Sequence, residues 1–408
     1  MYNLVLPIIT LLFSLNLFSQ KNLQEGWWRA ELKRSDGVII PFNFEVKSAG
    51  GKKILFIRNA AERIKVDQLS FTEDSFFIQM PVFESRFSAK IRKDGSLQGV
   101  WIRGTSSRDQ VMPFIAKPGI QDRFPSPARA SNNISGRWAV NFVSSDSSDR
   151  LAVAEFKQLG NKLSGTFLTS TGDYRYLEGA VDRERIELST FDGSHAYLFN
   201  ARIESGRKIT EGHYYSGVRF QQNWSAVKNA DARLPENTSA VYLKEGEERL
   251  NFSFPDLDGK MVSIQDDRFR NKVVIVQIMG SWCPNCMDET RFLSDYYLKN
   301  RKRGIEVVSL AYEYSNDFER SQKSLLKFQQ RFNVQYPMLI TGAKTSDSLR
   351  TEKTLPQLTP IKMFPTTIFL GKDGRVRRIH TGFTGPGTGE HYEQFKKEFY
   401  SIVDGLLL

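Results

Sequence analysis

The 408-residue sequence carries 57 Lys+Arg against 46 Asp+Glu, a formal net charge of +11, with only 2 cysteines and 4 histidines. Such a length exceeds one ordinary core, so two or three domains are expected. Charges of both signs are interspersed without a Lys/Arg run, which argues against nucleic acid as a partner, and two cysteines are too few for a disulfide-held scaffold.

The chain opens MYNLVLPIITLLFSLNLFSQK, with no charged side chain before Lys21. The apolar run from Leu4 to Phe18 has the length of a signal-peptide core and is short for a membrane span. Residues 1–20 therefore read as a signal peptide, cleaved before Lys21 or a residue or two later, although only the amino terminus supplies positive charge in front of it. A retained amino-terminal membrane anchor is the alternative. No cysteine follows the run to accept a lipid. Beyond it no apolar stretch is long enough to span a bilayer, so the mature protein is expected to be soluble and periplasmic or otherwise extracytoplasmic.

From residue 25 to about 228, short alternating apolar runs recur with turn residues between them, among them VIIPFNFEVK, KKILFIRN and SRFSAKIRKDGSLQGVWIRG. Asp94-Gly95 and Asp192-Gly193 are hairpin signals. The region also resembles itself. GWWRAEL at 26–32 aligns with GRWAVNF at 136–142, an offset of 110, and GSLQGVWIRG ending at Gly104 aligns with RKITEGHYYSG ending at Gly217, an offset of 113. Between the units KPGIQDRFPSPARASNN, rich in Pro, Ser and Asn, reads as a linker. Two tandem small antiparallel β-barrel or β-sandwich domains are expected, at 21–118 and 132–229. Their tryptophans, Trp27, Trp28, Trp101, Trp138 and Trp224, read as core, with the lining of a ligand cavity as the alternative.

After a second linker, NADARLPENTSAVYLKEGEER, the pattern changes. KVVIVQIMG at 272–280 is a nearly continuous apolar run, as a strand buried on both faces should be. A helix from about Pro284 to Lys302 follows, then GIEVVSLAY as a strand and DFERSQKSLLKFQQRF as an amphipathic helix. YPMLI, TTIFL and RVRRIHTGF read as further strands, and GEHYEQFKKEFYSIVDGLL as a closing helix. The alternation predicts an α/β domain over 248–408, with both cysteines at the carboxyl end of a central strand.

Those cysteines, Cys283 and Cys286, stand in GSWCPNCMDET. A bridge over so short a loop restricts the unfolded chain little, so a structural staple is a weak reading. If the helix begins at Pro284, a favoured first-turn residue, Cys283 takes the cap position and Cys286 the first turn. The positive end of the helix and its unsatisfied N–H groups then favour the thiolate, which is the nucleophile. Three residues apart, the sulfurs share one helical face, and one can attack while the other resolves the mixed disulfide.

GSWCPNC after a buried strand resembles the Trp-Cys-x-x-Cys active site of thioredoxin-fold enzymes. Upstream, FSFPDLDGKMVSIQDDRFRNKVVIVQIMGSWC is similar to the TlpA/ResA-type branch of extracytoplasmic thiol–disulfide oxidoreductases, whose members show a Phe-x-Asp-Leu-x-Gly-Lys hairpin before the first core strand. Downstream, MFPTTIFLGKDGRV matches that branch's Pro-Thr-Thr segment, and the likeness covers about residues 248 to 405. It implies an α/β thioredoxin-like carboxyl-terminal domain in which Cys283 attacks, Cys286 resolves and Pro365 follows a cis peptide bond. Trp282, Phe364 and Thr366 are implied on the substrate side. Glu289, three residues after Cys286, resembles the acid thought to relay protons in this branch, and a partly buried carboxyl suits that task. The plainer reading of Glu289 is a first-turn acid stabilising its helix. One departure stands out: thioredoxin proper has a buried aspartate where this chain has Gln277, which leaves Glu289 as the better proton handler.

By the same resemblance the protein exchanges disulfides with protein clients in a reductive direction, without metal or organic cofactor. A membrane thiol donor and apocytochrome clients, hence a part in cytochrome maturation, are implied on that ground alone. The β domains are expected to serve docking or dimerisation. Two rival readings are weighed against this one: a ligand- or partner-binding β-module protein with an accessory redox domain, and a peroxiredoxin-like peroxidase. QIMGSWC lacks the Pro and Thr that the peroxidase pattern places ahead of its cysteine. A zinc site needs about four ligands, and His195, His213, His380 and His391 are scattered without paired spacing.

Overall fold

The computed structural model describes residues 23–72, 75–143, 149–235 and 240–408. The expected signal peptide, residues 1–20, lies outside the described residues. The first β unit is an antiparallel meander of β1 (Gly26–Lys33), β2 (Ile39–Ala49), β3 (Lys52–Asn59), β4 (Glu62–Val66) and β5 (Leu69–Phe71). It continues through β6 (Ser75–Gln79), β7 (Ser85–Ile91), β8 (Leu97–Arg103) and β9 (Gln110–Pro118). β9 returns to pair with β1, so the sheet curls into a nearly closed barrel whose two edges are β4 and β5.

The second unit comprises β10 (Gly136–Val143), β11 (Asp149–Leu159), β12 (Lys162–Thr169), β13 (Gly172–Asp173) and β14 (Leu177–Asp182). β15 (Arg185–Phe191), β16 (Ala196–Ser205), β17 (Lys208–Ser216) and β18 (Phe220–Lys228) follow. β10 pairs with both β11 and β18, and the β11–β12 pairing closes the ring, with the short β13 appended to β12. Closure removes the exposed edges that an open sheet would present.

The two barrels share a pairing register between their first and last strands. Trp28 pairs with Pro118 and Trp138 with Lys228, each member displaced by 110 residues. Each of these tryptophans donates its indole N–H to a carbonyl four residues back, Gln24 and Ile134, at 2.9 Å. The offset of 113 for the late hairpin has a simple cause: the β8–β9 loop, 104–109, is three residues longer than the β17–β18 loop, 217–219.

Strict alternation in β9 and β18 sends every second side chain inward, where aromatic rings pack the interiors. Trp28, Phe42, Phe44, Phe87, Trp101 and Phe114 pack the first barrel. Trp138, Phe142, Phe167, Phe199, Tyr214 and Trp224 pack the second. Trp27 stays half-buried, with the Arg58 guanidinium 5.2 Å over its ring. The barrels are not separate beads. Phe191 of β15 enters the core of the first barrel, its ring 4.3 Å from Phe42 and 5.6 Å from both Phe87 and Trp101. Asn59 brackets the inserted residue, donating to its carbonyl at 2.9 Å and accepting from its N–H at 3.2 Å.

The carboxyl-terminal domain is thioredoxin-like. A hairpin, β19 (Ser253–Pro255) and β20 (Met261–Ser263), precedes the central β21 (Val273–Met279). Then come α1 (Pro284–Asn300), β22 (Ile305–Ala311), α2 (Phe318–Phe332), β23 (Met338–Ile340) and a five-residue α3 (Arg350–Thr354). β24 (Thr366–Leu370), β25 (Val376–Thr381) and α4 (Glu390–Leu407) close the chain. The sheet order is β23-β22-β21-β24-β25, with β21, β22 and β23 parallel and β24 and β25 antiparallel. Every residue of β21 is buried, because helices or loops cover both faces of the sheet. Its side chains divide by parity: Val273, Ile275 and Met279 join the core beneath α1, while Val274, Val276 and Ile278 join the opposite one. Gln277 is the one polar residue in this strand.

Candidate active site

The strand β21 ends at Met279, and four residues later Cys283 caps α1. Its backbone is extended (φ −95°, ψ 119°), and Pro284 follows as the first helical residue. The Cys286 N–H points at the Cys283 sulfur from 3.2 Å, one of the orphan donors that a helix start offers to an anion. Cys283 and Cys286 are joined as a disulfide with their Cα atoms 5.2 Å apart. The sequence places Cys283 where the helix begins, and the fold puts it at that cap.

Around the sulfurs the partners come from distant parts of the chain. The Phe364–Pro365 peptide is cis, and the Phe364 carbonyl lies 3.6 Å from the Cys283 sulfur. Trp282 donates its indole N–H to the Tyr312 carbonyl at 2.8 Å, stacks on Tyr314 and meets the Phe364 ring edge-on at 5.3 Å. Trp282 and Phe364 are half-buried, so an aromatic rim borders the sulfur. Thr366 is fully buried, and its hydroxyl donates to the Met363 carbonyl at 3.1 Å, tying down the bend at the cis bond.

Behind Cys286, Glu289 lies one helical turn on and is 1% exposed. Its two oxygens accept from Thr367 Oγ1 at 2.6 Å and from Gln277 Nε2 at 2.8 Å. Burial pushes its carboxyl from 4.5 up to about 7, against the opposing pull of those two donors. Gln277 is itself held: its carbonyl oxygen accepts from Ser309 Oγ at 2.8 Å, and the Thr290 hydroxyl lies within 3.3 Å of both amide atoms. The amide that departs from the thioredoxin pattern is therefore the partner of the acid, and periodicity alone could not pair residues on a strand and a helix. A carboxyl near neutrality, one turn from a cysteine, can take up or release a proton as that thiol reacts.

A second acid was not legible. Glu313 follows β22, is buried, and accepts from the Ser281 N–H at 2.8 Å and the Ser281 hydroxyl at 2.5 Å. Burial pushes it up to about 7 as well. It anchors the turn that delivers Trp282 and Cys283. Asp288, beside Glu289, faces away from the sulfurs toward the second barrel, where Arg175 meets it. Among the described residues, no three His, Cys, Asp or Glu side chains are grouped as ligands for a metal ion.

The raised Glu289 carboxyl has a consequence for stability. A group whose folded pKa lies above its unfolded value holds its proton more tightly when folded, so its contribution is complete below about 4.5 and is lost as pH climbs through about 7. Between pH 5 and 8 wild type should therefore lose stability relative to Glu289→Gln by on the order of 2–3 kcal/mol. Urea unfolding of both proteins across that range measures the difference, and parallel curves would show that Glu289 does not titrate there.

Residues 244–394 match the family model for Redoxin. The chain is 26% identical over 161 residues to the thiol-disulfide oxidoreductase ResA of Bacillus thuringiensis subsp. konkukian (strain 97-27), covering 40% of this chain and 82% of that protein. It is also 26% identical over 156 residues to ResA of Bacillus cereus (strain ATCC 10987 / NRS 248), covering 38% of this chain and 79% of that protein. Among solved structures, a thiol:disulfide interchange protein of the thioredoxin family from Chlorobium tepidum TLS is similar at 19% identity and a TM-score of 0.31, covering 40% of this chain and 99% of that one.

Proposed function

We propose that this chain, a thiol–disulfide oxidoreductase by its Redoxin domain and its ResA relatives, works outside the cytoplasm and reduces disulfides in protein clients through Trp282-Cys283-Pro284-Asn285-Cys286. The observation that carries the reading is the Cys283 sulfur at the start of α1, in reach of the Cys286 N–H and beside the Phe364 carbonyl at the cis bond. That setting favours a thiolate facing a strip of backbone along which an extended client segment can lie.

The steps balance as follows. Cys283 thiolate attacks one sulfur of the client disulfide, and the other client sulfur leaves as a thiolate and takes a proton. Cys286 passes its proton to Glu289 and attacks Cys283 in the mixed disulfide; the second client sulfur leaves as a thiolate and takes that proton, leaving Glu289 ionised and the pair oxidised. A dithiol donor, of the membrane thiol class in this reading, then returns two electrons and two protons. Trp282 and Phe364 contact the client, Pro365 shapes the backbone strip, and Thr366 holds its bend. The aromatic packing inside the barrels supports the redox domain, rather than a β-module cavity, as the seat of the chemistry.

Cys286→Ser tests the mechanism: it should leave a client joined to Cys283 as a mixed disulfide, released by dithiothreitol and visible on a non-reducing gel of an envelope extract. No trapped species, together with a wild type that reduces no protein disulfide, would refute the enzyme reading. The direction is measured separately. The pair should equilibrate with glutathione or dithiothreitol at about −270 mV or below, as thioredoxin does, and a value near −120 mV would make it an oxidant.

A further inference from the structure

We infer that the two barrels form a collar shut over the redox disulfide, and that the Arg175–Asp288 ion pair is the latch that must part before a client sulfur can reach Cys283. The inference rests on the disulfide-exchange reading above. Exchange requires the incoming sulfur to approach Cys283 directly, with client backbone on either side. Yet Cys283 is 4% exposed and Cys286 0%, and residues of both barrels pack beside the start of α1 or within the same apolar cluster.

The second barrel presses on the first turns of α1. Gly172 sits so close to the Asn285 amide that any side chain there would collide with it, and Asn285 lies between the two cysteines. Asp173 accepts from the Gly385 N–H at 2.7 Å, behind the same turn. Arg175 then makes a two-pronged contact with Asp288, Nε to Oδ2 at 2.8 Å and Nη2 to Oδ1 at 3.1 Å. The same guanidinium bonds Glu62 at the start of β4 and lies 3.7 Å from Asp192, which holds His195. One buried cation thus ties both barrels to a residue two places past Cys286. Arg175 is itself held at φ 57°, a conformation that residues other than glycine avoid and that persists only where the surroundings impose it.

The first barrel closes the other side. In the loop 80–84, Val82 and Phe83 belong to the same buried apolar cluster as Cys283 and Cys286. Next to them Glu84 accepts from Arg320 at 2.8 Å and from Ser324 at 2.6 Å, both on α2. Lys327 donates to the Phe83 carbonyl at 3.3 Å. The Arg175 cluster with Glu62, Asp192 and Asp288 is buried, so each of its charges has given up water and the cluster contributes little net stability, while the Arg320–Glu84 pair is partly exposed. An interface latched by charge therefore suits a contact that must open again, in a way that an apolar seam of equal area would not.

The test uses the full-length chain carrying Cys286→Ser, reduced, so that Cys283 is its one thiol. Rates of alkylation by N-ethylmaleimide and by a maleimide bearing a long polyethylene glycol chain are compared. Their ratio cancels any change in the thiolate fraction, since both reagents meet the same sulfur. In the latched protein the bulky reagent should lag well behind the small one. Arg175→Met should speed the bulky reagent about tenfold or more while moving the small one much less. Glu84→Gln should shift the ratio the same way, and it decides the matter should Arg175→Met not fold. A ratio unchanged in the folded variants, or a latched protein that reacts equally fast with both reagents, overturns the collar. Insulin reduction by Arg175→Met and Glu84→Gln with both cysteines intact is read in parallel: a shifted ratio without insulin reduction by the opened variants keeps the collar and removes the exchange reading.

Discussion

Cys283→Ser should abolish disulfide reduction, lowering insulin turnover by about a thousandfold or more while leaving the fold intact. The serine oxygen fits the cap position and can accept the Cys286 N–H as the sulfur does, so α1 keeps its start. What is lost is the anion. A hydroxyl does not ionise at neutral pH under the pull of one helix terminus, whereas a thiol does. Cys286 cannot substitute, because it is fully buried and one turn deeper in the helix. The measurement is insulin reduction with dithiothreitol as donor, beside circular dichroism to check the fold. A variant keeping more than about a tenth of wild-type turnover would place the nucleophile elsewhere.

Phe191→Ala should cost about 3–5 kcal/mol, the range for removing a fully buried phenylalanine. The site cannot collapse easily. Phe42, Phe87 and Trp101, which surround the ring, are fixed on strands of the first barrel, while Phe191 comes from the second. The loss therefore falls on the junction, and urea unfolding should show one transition in wild type giving way to two. Leu159→Ala, at an exposed strand end, should move stability by no more than about 0.5 kcal/mol and serves as the control. A Phe191→Ala protein as stable as that control would mean the ring is dispensable.

Much of the carboxyl-terminal domain was legible. TTIFL is β24 from end to end, and the apolar run at 272–280 contains β21, because a strand buried on both faces needs a continuous apolar run. The Cys283 cap was legible because Pro284 announces a helix start. The barrel repeat was legible at Gly-x-Trp, where indole and register coincide. The five-residue α3 was not, since so short a helix has no periodicity to display. Nor was the partnership of Gln277 with Glu289, which depends on how α1 lies across β21, or that of Arg175 with Asp288, which joins separate domains. Alternation in RIELSTF sets Phe191 with Arg185, Glu187 and Ser189, on the face opposite Ile186 and Leu188 of its own barrel core, and carries no information that another barrel's core receives it.

The aromatic residue that one barrel lends to the other also sets an order of events as the chain emerges into the compartment where it folds. Chains fold as they emerge, amino-terminal segments first. The earlier barrel must wait with its interior unfinished until β15 has emerged, holding wet a surface meant to be dry. A pause or a truncation before that point leaves an open, sticky cup. Newborn chains of this protein should therefore lean on a holding chaperone at that stage, and less so once residue 191 has emerged.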